Sequence, residues 1–555
     1  MNRRHFVKLS STTAAAILFS RLTSLADNKT NIIHMPDEVW AQSGTDWFKL
    51  TASNSSIYIY KDIQVRLRQN ENALAVFTVS PTLQLNAVRL KWKHSLNQPT
   101  KVLGDHWERS YGDLAWKAPH ATAKNPWYVL LHDDKDTTCF GVKTGCNSIC
   151  WWAVGNDTLE LTMDTASGGM GVLLGQRELH AADIVTTQNT ANENAFATAR
   201  RFCKIMCPVQ RLAKQPIYGS NDWYFAYGNN SDKLIKELTA IMTDLAPDQD
   251  NRPFSVIDAG WAKYSPLLPG DGGWNDDFTK PNGKFKDMHL LADDIKSKGM
   301  QPGLWTRLLC AKHDDKKSLL LPSIPGRNDP RQPVLDPTIP ENMERAGNII
   351  SLYKQWGYKM VKHDFSTFDI TGRWGFQMKD SITPSGWSFN DRSKTTAEVI
   401  NTLYHTIRQS AGDMYINGCN TVGHLSAGVF EQCRIGDDTS GKEWARTRKM
   451  GVNTMGFRMV QHNIFYAADG DCVGLTRDVP WAKNKQWMQL LAQSSAPLFI
   501  SAQPDILGDE QKQYIKQSFA KAAKPQPIGE PLDWLTNPLP SKWKLNGSEV
   551  DFDWS

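Results

Sequence analysis

The chain contains no run of about 20 uninterrupted apolar residues, so no segment is long enough to be a membrane-spanning helix. It has little net charge. The formal balance is +5 over 555 residues, and four of those charges, Arg3, Arg4, Lys8 and Arg21, lie in residues 1–26, which hold no acid. Without a Lys/Arg stripe the remainder gives a polyanion nothing to grip, so nucleic acid is excluded as a partner and an uncharged ligand is expected. Low-complexity tracts and repeats of 20 to 50 residues are also missing, which excludes solenoids and propellers. The nine cysteines (139, 146, 150, 203, 207, 310, 419, 433 and 472) are odd in number and scattered, unlike a small disulfide-stapled fold. Cys146 with Cys150, and Cys203 with Cys207, have the spacing of half zinc sites but no clustered His or Cys to complete them, and are read as buried thiols.

Four regions are distinguishable. Residues 1–26 pair a basic start (Arg3, Arg4, Lys8) with a short Ala- and Thr-rich apolar run and a Ser24-Leu25-Ala26 step. This resembles a twin-arginine export signal, the alternative being an ordinary secretory signal; both predict an exported protein, periplasmic or extracellular. Residues 27–215 carry short runs of period-two alternation, such as 56–60, 87–92 and 158–163, separated by Asn, Gly, Asp and Pro. That pattern predicts an antiparallel β-sandwich. The glycine-rich stretch 168–175 sits among strands with no following helix, so it reads as turns and bulges rather than a dinucleotide fingerprint.

Over residues 216–524 the texture changes to apolar strand candidates alternating with amphipathic helix candidates, which predicts a parallel (β/α)₈ TIM barrel. The strands are placed at 223–227, 254–258, 301–305, 358–364, 414–418, 432–436, 459–466 and 497–501, and helices at 232–244, 286–298, 341–356, 393–410, 486–493 and 510–521. The fifth connection, 421–431, has room for only a short helix or a loop. Residues 525–555 form a small appendage with a hairpin expected around 545–548. The fold class is therefore an N-terminal β-sandwich, a (β/α)₈ barrel and a short C-terminal β appendage.

Barrel active sites form at the C-terminal ends of the strands. The residues delivered there are Asp222 and Trp223, Asp258 and Trp261, Trp305 and Arg307, Lys362 and Asp364, Asn417, Cys419 and Asn420, Arg434, Asp437 and Asp438, and Asp469 and Asp471. Carboxylates bond sugar hydroxyls and indoles cover the apolar face of a pyranose, so this inventory suits a carbohydrate. Lys362 and Asp364 share a strand face, and a neighbouring ammonium favours the ionised carboxylate that a nucleophile needs. Asp437 and Asp438 compete as the proton donor, each with the alternative of capping the next helix. Two carboxylates about 5 to 6 Å apart across the mouth are what retaining glycoside hydrolysis requires. His363 should face the helices and pack, while Asp469 and Asp471 could meet a ligand or only shape the turn at Gly470.

Five segments in register, Leu103-Gly104-Asp105-His106-Trp107-Glu108-Arg109-Ser110-Tyr111-Gly112-Asp113-Leu114, Ile257-Asp258-Ala259-Gly260-Trp261, Pro302-Gly303-Leu304-Trp305, Lys362-His363-Asp364-Phe365 and Arg434-Ile435-Gly436-Asp437-Asp438-Thr439, resemble glycoside hydrolase family 36, the α-galactosidase group. The resemblance spans residues 100–505. It implies a retaining exo-glycosidase with Asp364 as nucleophile and Asp438, rather than Asp437, as acid/base. It also implies a sugar subsite containing Asp258, Trp305, Lys362, Cys419 and Arg434, and no metal or organic cofactor. To these the strand-end inventory adds Trp261 and Asp471. The expected partner is an oligosaccharide or glycoconjugate, and self-association into a homo-oligomer is left open. One departure bears on the sugar. Many members follow the second strand with two consecutive acids, whereas here Ala259 follows Asp258. α-N-Acetylgalactosaminides and β-L-arabinopyranosides therefore stay in play beside α-galactosides, as do transglycosylation and a non-catalytic carbohydrate-binding role on the same scaffold.

Overall fold

The computed structural model describes residues 33–70, 72–263, 277–312, 314–325, 327 and 333–555. The export signal lies outside them. The first region is a sandwich of a six-stranded and an eight-stranded sheet with antiparallel pairing. Ile63–Gln69 shows why: Ile63, Val65 and Leu67 point into the core while the residues between them do not. The alternating runs recognised in the sequence become strands Ile57–Tyr60, Ala87–Lys93 and Thr158–Asp164. No helix follows Gly168. Instead the backbone N–H of Gly169 donates to the Trp387 carbonyl at 2.9 Å, and a Cβ there would lie 2.1 Å from the Pro384 carbonyl oxygen, so glycine is needed for a barrel loop to approach. A helix the strand pattern did not reveal, Ala195–Met206, closes the region; Asn194 caps it by accepting from the Ala197 N–H at 2.8 Å.

The barrel strands are Tyr218–Asn221, Phe254–Ile257, Gln301–Thr306, Met360–His363, Tyr415–Gly418, Gln432–Arg434, a seventh strand in two pieces (Ala467–Asp469 and Cys472–Leu475), and Leu498–Ala502. Their pairing is parallel throughout. The two pieces of the seventh strand form opposite edges of one sheet, pairing with Gln432–Arg434 on one side and Leu498–Ala502 on the other. Only Gly470 and Asp471 lie between them, so the covalent chain closes the ring at a kink where Asp471 has φ 79°. Helices Asp232–Leu245, Met288–Ser297, Pro340–Gln355, Thr396–Ala411, Trp481–Gln493 and Asp509–Ala522 surround it, and the fifth connection holds the short helix Gly423–Ser426. Among the described residues no helix is long and apolar enough to cross a membrane.

Two strand expectations are corrected. Residues 223–227 are not a strand: the Asn221 side chain accepts from the Trp223 N–H at 2.9 Å and turns the chain into the helix Trp223–Ala226. The first strand is Tyr218–Asn221 instead. Residues 459–466 are turns after the helical run Trp444–Arg458, and the seventh strand begins at Ala467. That stretch is buried except at Asn463, and its apolar residues flank Gln461, His462 and Asn463 with no period-two alternation to mark a strand. The appendage folds as a hairpin, Lys542–Leu545 with Ser548–Asp551, turning at Asn546 and Gly547 with φ of 50° and 84°.

Arg458, 2% exposed, joins sandwich to barrel. Its guanidinium pairs with Asp105 at 2.7 Å and donates to the carbonyls of Ile435 (2.9 Å) and Glu108 (2.6 Å). Removing one partner of a buried ion pair costs about 3–5 kcal/mol. Arg458→Ala should therefore lower the unfolding free energy of the full chain by that amount in a urea titration followed by tryptophan fluorescence, and a loss below ~1 kcal/mol would refute its role as the tie.

Candidate active site

Asp364 leaves the fourth strand held on both oxygens. Its Oδ1 accepts from the N–H groups of Phe365 (2.7 Å) and Asn420 (3.0 Å), and its Oδ2 from the Trp305 indole (3.1 Å). Phe365 takes φ 66°, a conformation costly to a bulky side chain, and the turn it makes lets its own N–H reach back to Asp364. Three donors fix the orientation of the carboxylate.

Lys362 does not pair with Asp364. Its ammonium lies 2.7 Å from Asp258 Oδ2, which also accepts from the Asn221 side chain at 2.7 Å. Burial opposes the lysine's charge, but Asp258 holds its pKa well above the ordinary value. Asp222 stands behind Asp258 and accepts from the Asp258 N–H at 2.7 Å. Burial and then the Asp258 charge push the Asp222 carboxyl up to about 7.

After the sixth strand the two acids separate by environment. Asp437 is clamped between Arg109 and Arg446, each at 2.7 Å. Asp438 is 38% exposed at its side chain, 3.3 Å from Arg434 and 3.7 Å from Arg109. Burial resists ionisation of Asp438, yet Arg434, Arg109, Lys362 and Arg446 together outweigh it and bring the carboxyl down to about 2. Neither acid serves as a cap. Cys419 is buried, with the guanidiniums of Arg434 and Arg109 at 3.8 and 3.9 Å, and burial pushes its thiol pKa far up. It is an inert wall.

Arg434 pairs with Asp471 at 2.7 Å, and Asp471 also accepts from the Thr439 N–H (2.9 Å) and the Tyr224 hydroxyl. Asp469 accepts from Asn417 and Gln432 at 2.9 and 2.8 Å. The structure thus places these residues at the C-terminal strand ends in three bonded groups: Asp364 with Trp305, Lys362 with Asp258, and Arg434 with Cys419, Asp438 and Asp471. Trp261 is the exception. It is 0% exposed, packs on Phe278, Tyr353 and Trp356 toward the helices, and donates to the Trp305 carbonyl at 2.9 Å. Because its ring turns outward from the strand, it supports Trp305 from behind instead of meeting a ligand. His363 faces away as expected, beside Tyr404 and Phe430, and burial brings its imidazole down to about 4. Arg307 is buried against Asp369 at 2.5 Å.

Sequence reasoning assigned no role to Glu108 and Arg109, which the sandwich delivers to the barrel mouth. Glu108 is 0% exposed and accepts from the Asn420 side chain; Arg109 touches both Asp437 and Asp438. Their one signal was an adjacent charged pair inside an aromatic loop. Among the described residues no group of three or more His, Cys, Asp or Glu is placed to hold a metal ion.

An α-galactosidase from Thermus thermophilus, in complex with p-nitrophenyl α-D-galactopyranoside, superposes with a TM-score of 0.61 at 16% identity, over 93% of this chain and 99% of that one. A GH36 α-galactosidase from Geobacillus stearothermophilus, in complex with 1-deoxygalactonojirimycin, gives 0.56 at 12% identity over 88% and 74%. The α-galactosidase from Lactobacillus brevis gives 0.56 at 12% identity over 88% and 70%. This chain has the GH36 α-galactosidase fold. No family model and no curated protein matches its sequence.

The Asp438 carboxyl lies below its unfolded value of 3.8, so the stability it contributes is complete above about pH 4 and is lost as pH falls through about 2. Asp438→Asn removes that term. The urea midpoints of wild type and variant should differ at neutral pH and converge between pH 4 and 2; a constant difference would place the stabilisation elsewhere.

Proposed function

We propose that the chain is a retaining, exo-acting glycoside hydrolase for terminal α-galactosides, with Asp364 as nucleophile and Asp438 as acid/base. What carries this reading is the contrast between the two carboxylates. Asp364 is fixed by three hydrogen-bond donors, while Asp438 is partly exposed beside an Asp437 clamped between two arginines. The fold supports it, as do the neighbours, one from Thermus thermophilus in complex with stachyose and one from Geobacillus stearothermophilus in complex with raffinose.

In the first step Asp364 attacks the anomeric carbon, the bond to the leaving oxygen breaks, and Asp438 gives that oxygen its proton. A glycosyl ester on Asp364 results. Water then attacks the same carbon, Asp438 takes the water proton, the ester bond breaks and the anomeric configuration is restored. Asp438 is ionised in the unliganded chain, which suits the second step. A sugar seated over its exposed side chain removes water from the carboxylate and moves it toward the protonated form that the first step needs. Lys362, Asp258 and Arg434 form a charged floor that pairs with hydroxyls, and Trp305 supplies an apolar edge.

With Ala259 where a second acid could stand, the nearest further carboxyl is Asp222, buried behind Asp258 at 1% exposure. Fewer free carboxylates face the hydroxyls, and this observation favours testing α-N-acetylgalactosaminides and β-L-arabinopyranosides in parallel. Export rests on residues 1–26 alone.

Asp364→Ala should reduce turnover of an aryl α-galactoside by more than about 10³-fold, and Asp438→Ala by about 10²- to 10⁴-fold on substrates with a poor leaving group. Azide separates the roles. The Asp364 variant should give the β-galactosyl azide, and the Asp438 variant, on an activated aryl substrate, the α-galactosyl azide. The opposite anomers, or an Asp364→Ala enzyme retaining more than about 1% of activity, would overturn the assignment.

A further inference from the structure

We propose that Glu108 is a positioning residue for the reaction: carried on the sandwich loop, it fixes Asn420 so that the Asn420 backbone N–H stays on the nucleophile Asp364. The inference rests on the proposed role of Asp364. Its geometry does not. Asn420 is 0% exposed and every one of its polar groups is occupied. Its N–H donates to Asp364 Oδ1 at 3.0 Å, and its carbonyl accepts from the Thr367 N–H at 3.1 Å. Its Oδ1 accepts from the Phe368 N–H at 2.9 Å, and its Nδ2 donates to Glu108 Oε2. The remaining Glu108 oxygen accepts from the Gly375 N–H at 2.8 Å and from the Tyr111 hydroxyl.

A fully buried carboxylate is expensive, and burial pushes the Glu108 pKa up against the pull of Arg109. The loop does not need it to stay docked. Arg458 already bonds Asp105, the Glu108 carbonyl and the Ile435 carbonyl, and Ser110 exchanges hydrogen bonds with Ile435 and Asp437 at 2.8 Å each. What the carboxylate adds is an acceptor for Asn420, which cannot turn its amide over without aiming the NH₂ group at the Phe368 N–H. The sandwich is thereby part of the reacting centre.

The test is an exchange of roles. In Glu108→Gln the new carbonyl oxygen can still accept from Gly375 and Tyr111, but its NH₂ group meets the NH₂ of Asn420. With Asn420→Asp added, the introduced amide would donate to the introduced carboxylate, whose other oxygen would still accept from Phe368. Misplacement of a reacting group by about 1 Å can cost about 100-fold, so Glu108→Gln should lower kcat by roughly 10- to 100-fold with KM within about twofold. The double variant should recover most of that loss. A wild-type kcat in Glu108→Gln, or a double variant no better than the single, would overturn the inference.

If the wild type turns over no galactoside, it is the functional reading that fails. The positioning claim is then decided by amide hydrogen exchange, which needs no substrate. The Asn420 N–H should exchange at least about tenfold faster in Glu108→Gln and slow again in the double variant. Unchanged exchange in the single variant would refute it. Should Glu108→Gln fail to fold, Asn420→Asp alone sets carboxylate against carboxylate. It should then lose kcat and regain it on adding Glu108→Gln, and no regain counts against the proposal.

Discussion

The seating of one sandwich loop in the barrel mouth is the constraint on which the rest depends. Loop residues 105–111 meet the end of the sixth barrel strand through Arg458 and Ser110, and Asp364 and Asp438 are supported from that contact. Arg109 reaches Asp438, and Glu108, through Asn420, reaches Asp364. A barrel alone would present the same strand ends without either support. The sandwich therefore acts on the chemistry through hydrogen bonds at fixed distances, and a rigid join between the two layers is a condition of the site's geometry.

Charge in the mouth is arranged as pairs with different degrees of closure. Lys362 with Asp258, Arg434 with Asp471 and Arg109 with Asp437 are buried or nearly so, each at 2.7 Å. Buried pairs of this kind contribute little net stability and much orientation. Asp438 is the partner left over, sharing arginines already engaged with closer acids, and it alone among these carboxylates is substantially open to solvent. Its protonation is thus the one most easily changed by a ligand that displaces water. The electrostatics separate a fixed frame from one adjustable acid.

Much of the fold was legible because strands and helices write their periods into the sequence. The sandwich runs and six of the barrel strands lie where alternation or flanking helices place them. Residues 223–227 are an unbroken apolar stretch with no period, and their turn is decided by the Asn221 side chain; residues 459–466 set Gln461, His462 and Asn463 between two apolar groups, again without the alternation of a strand. Strand ends also named most side chains that the structure collects at the mouth, since chain order fixes which residue follows each strand. Orientation was harder. Trp261 sits at the right place in the chain and turns the wrong way, and Lys362 shares a face with Asp364 yet reaches across to Asp258. Glu108 and Arg109 were invisible as site residues because their partners lie some 310 positions on for Cys419 and 312 for Asn420, a separation that local pattern cannot register.

The divided seventh strand has a mechanical meaning. Between Ala467–Asp469 and Cys472–Leu475 the ladder of backbone bonds is interrupted, and continuity rests on Gly470 and Asp471, whose side chain is engaged by Arg434. At this seam the first piece is paired with the sixth strand and the second with the eighth. Arg434, on the sixth strand, is tied by its pair with Asp471 to the point where the seventh strand changes partner. A charged side chain of the neighbouring strand thus pins the switch of partner, and the closure of the cylinder is coupled to the charge cluster at its mouth.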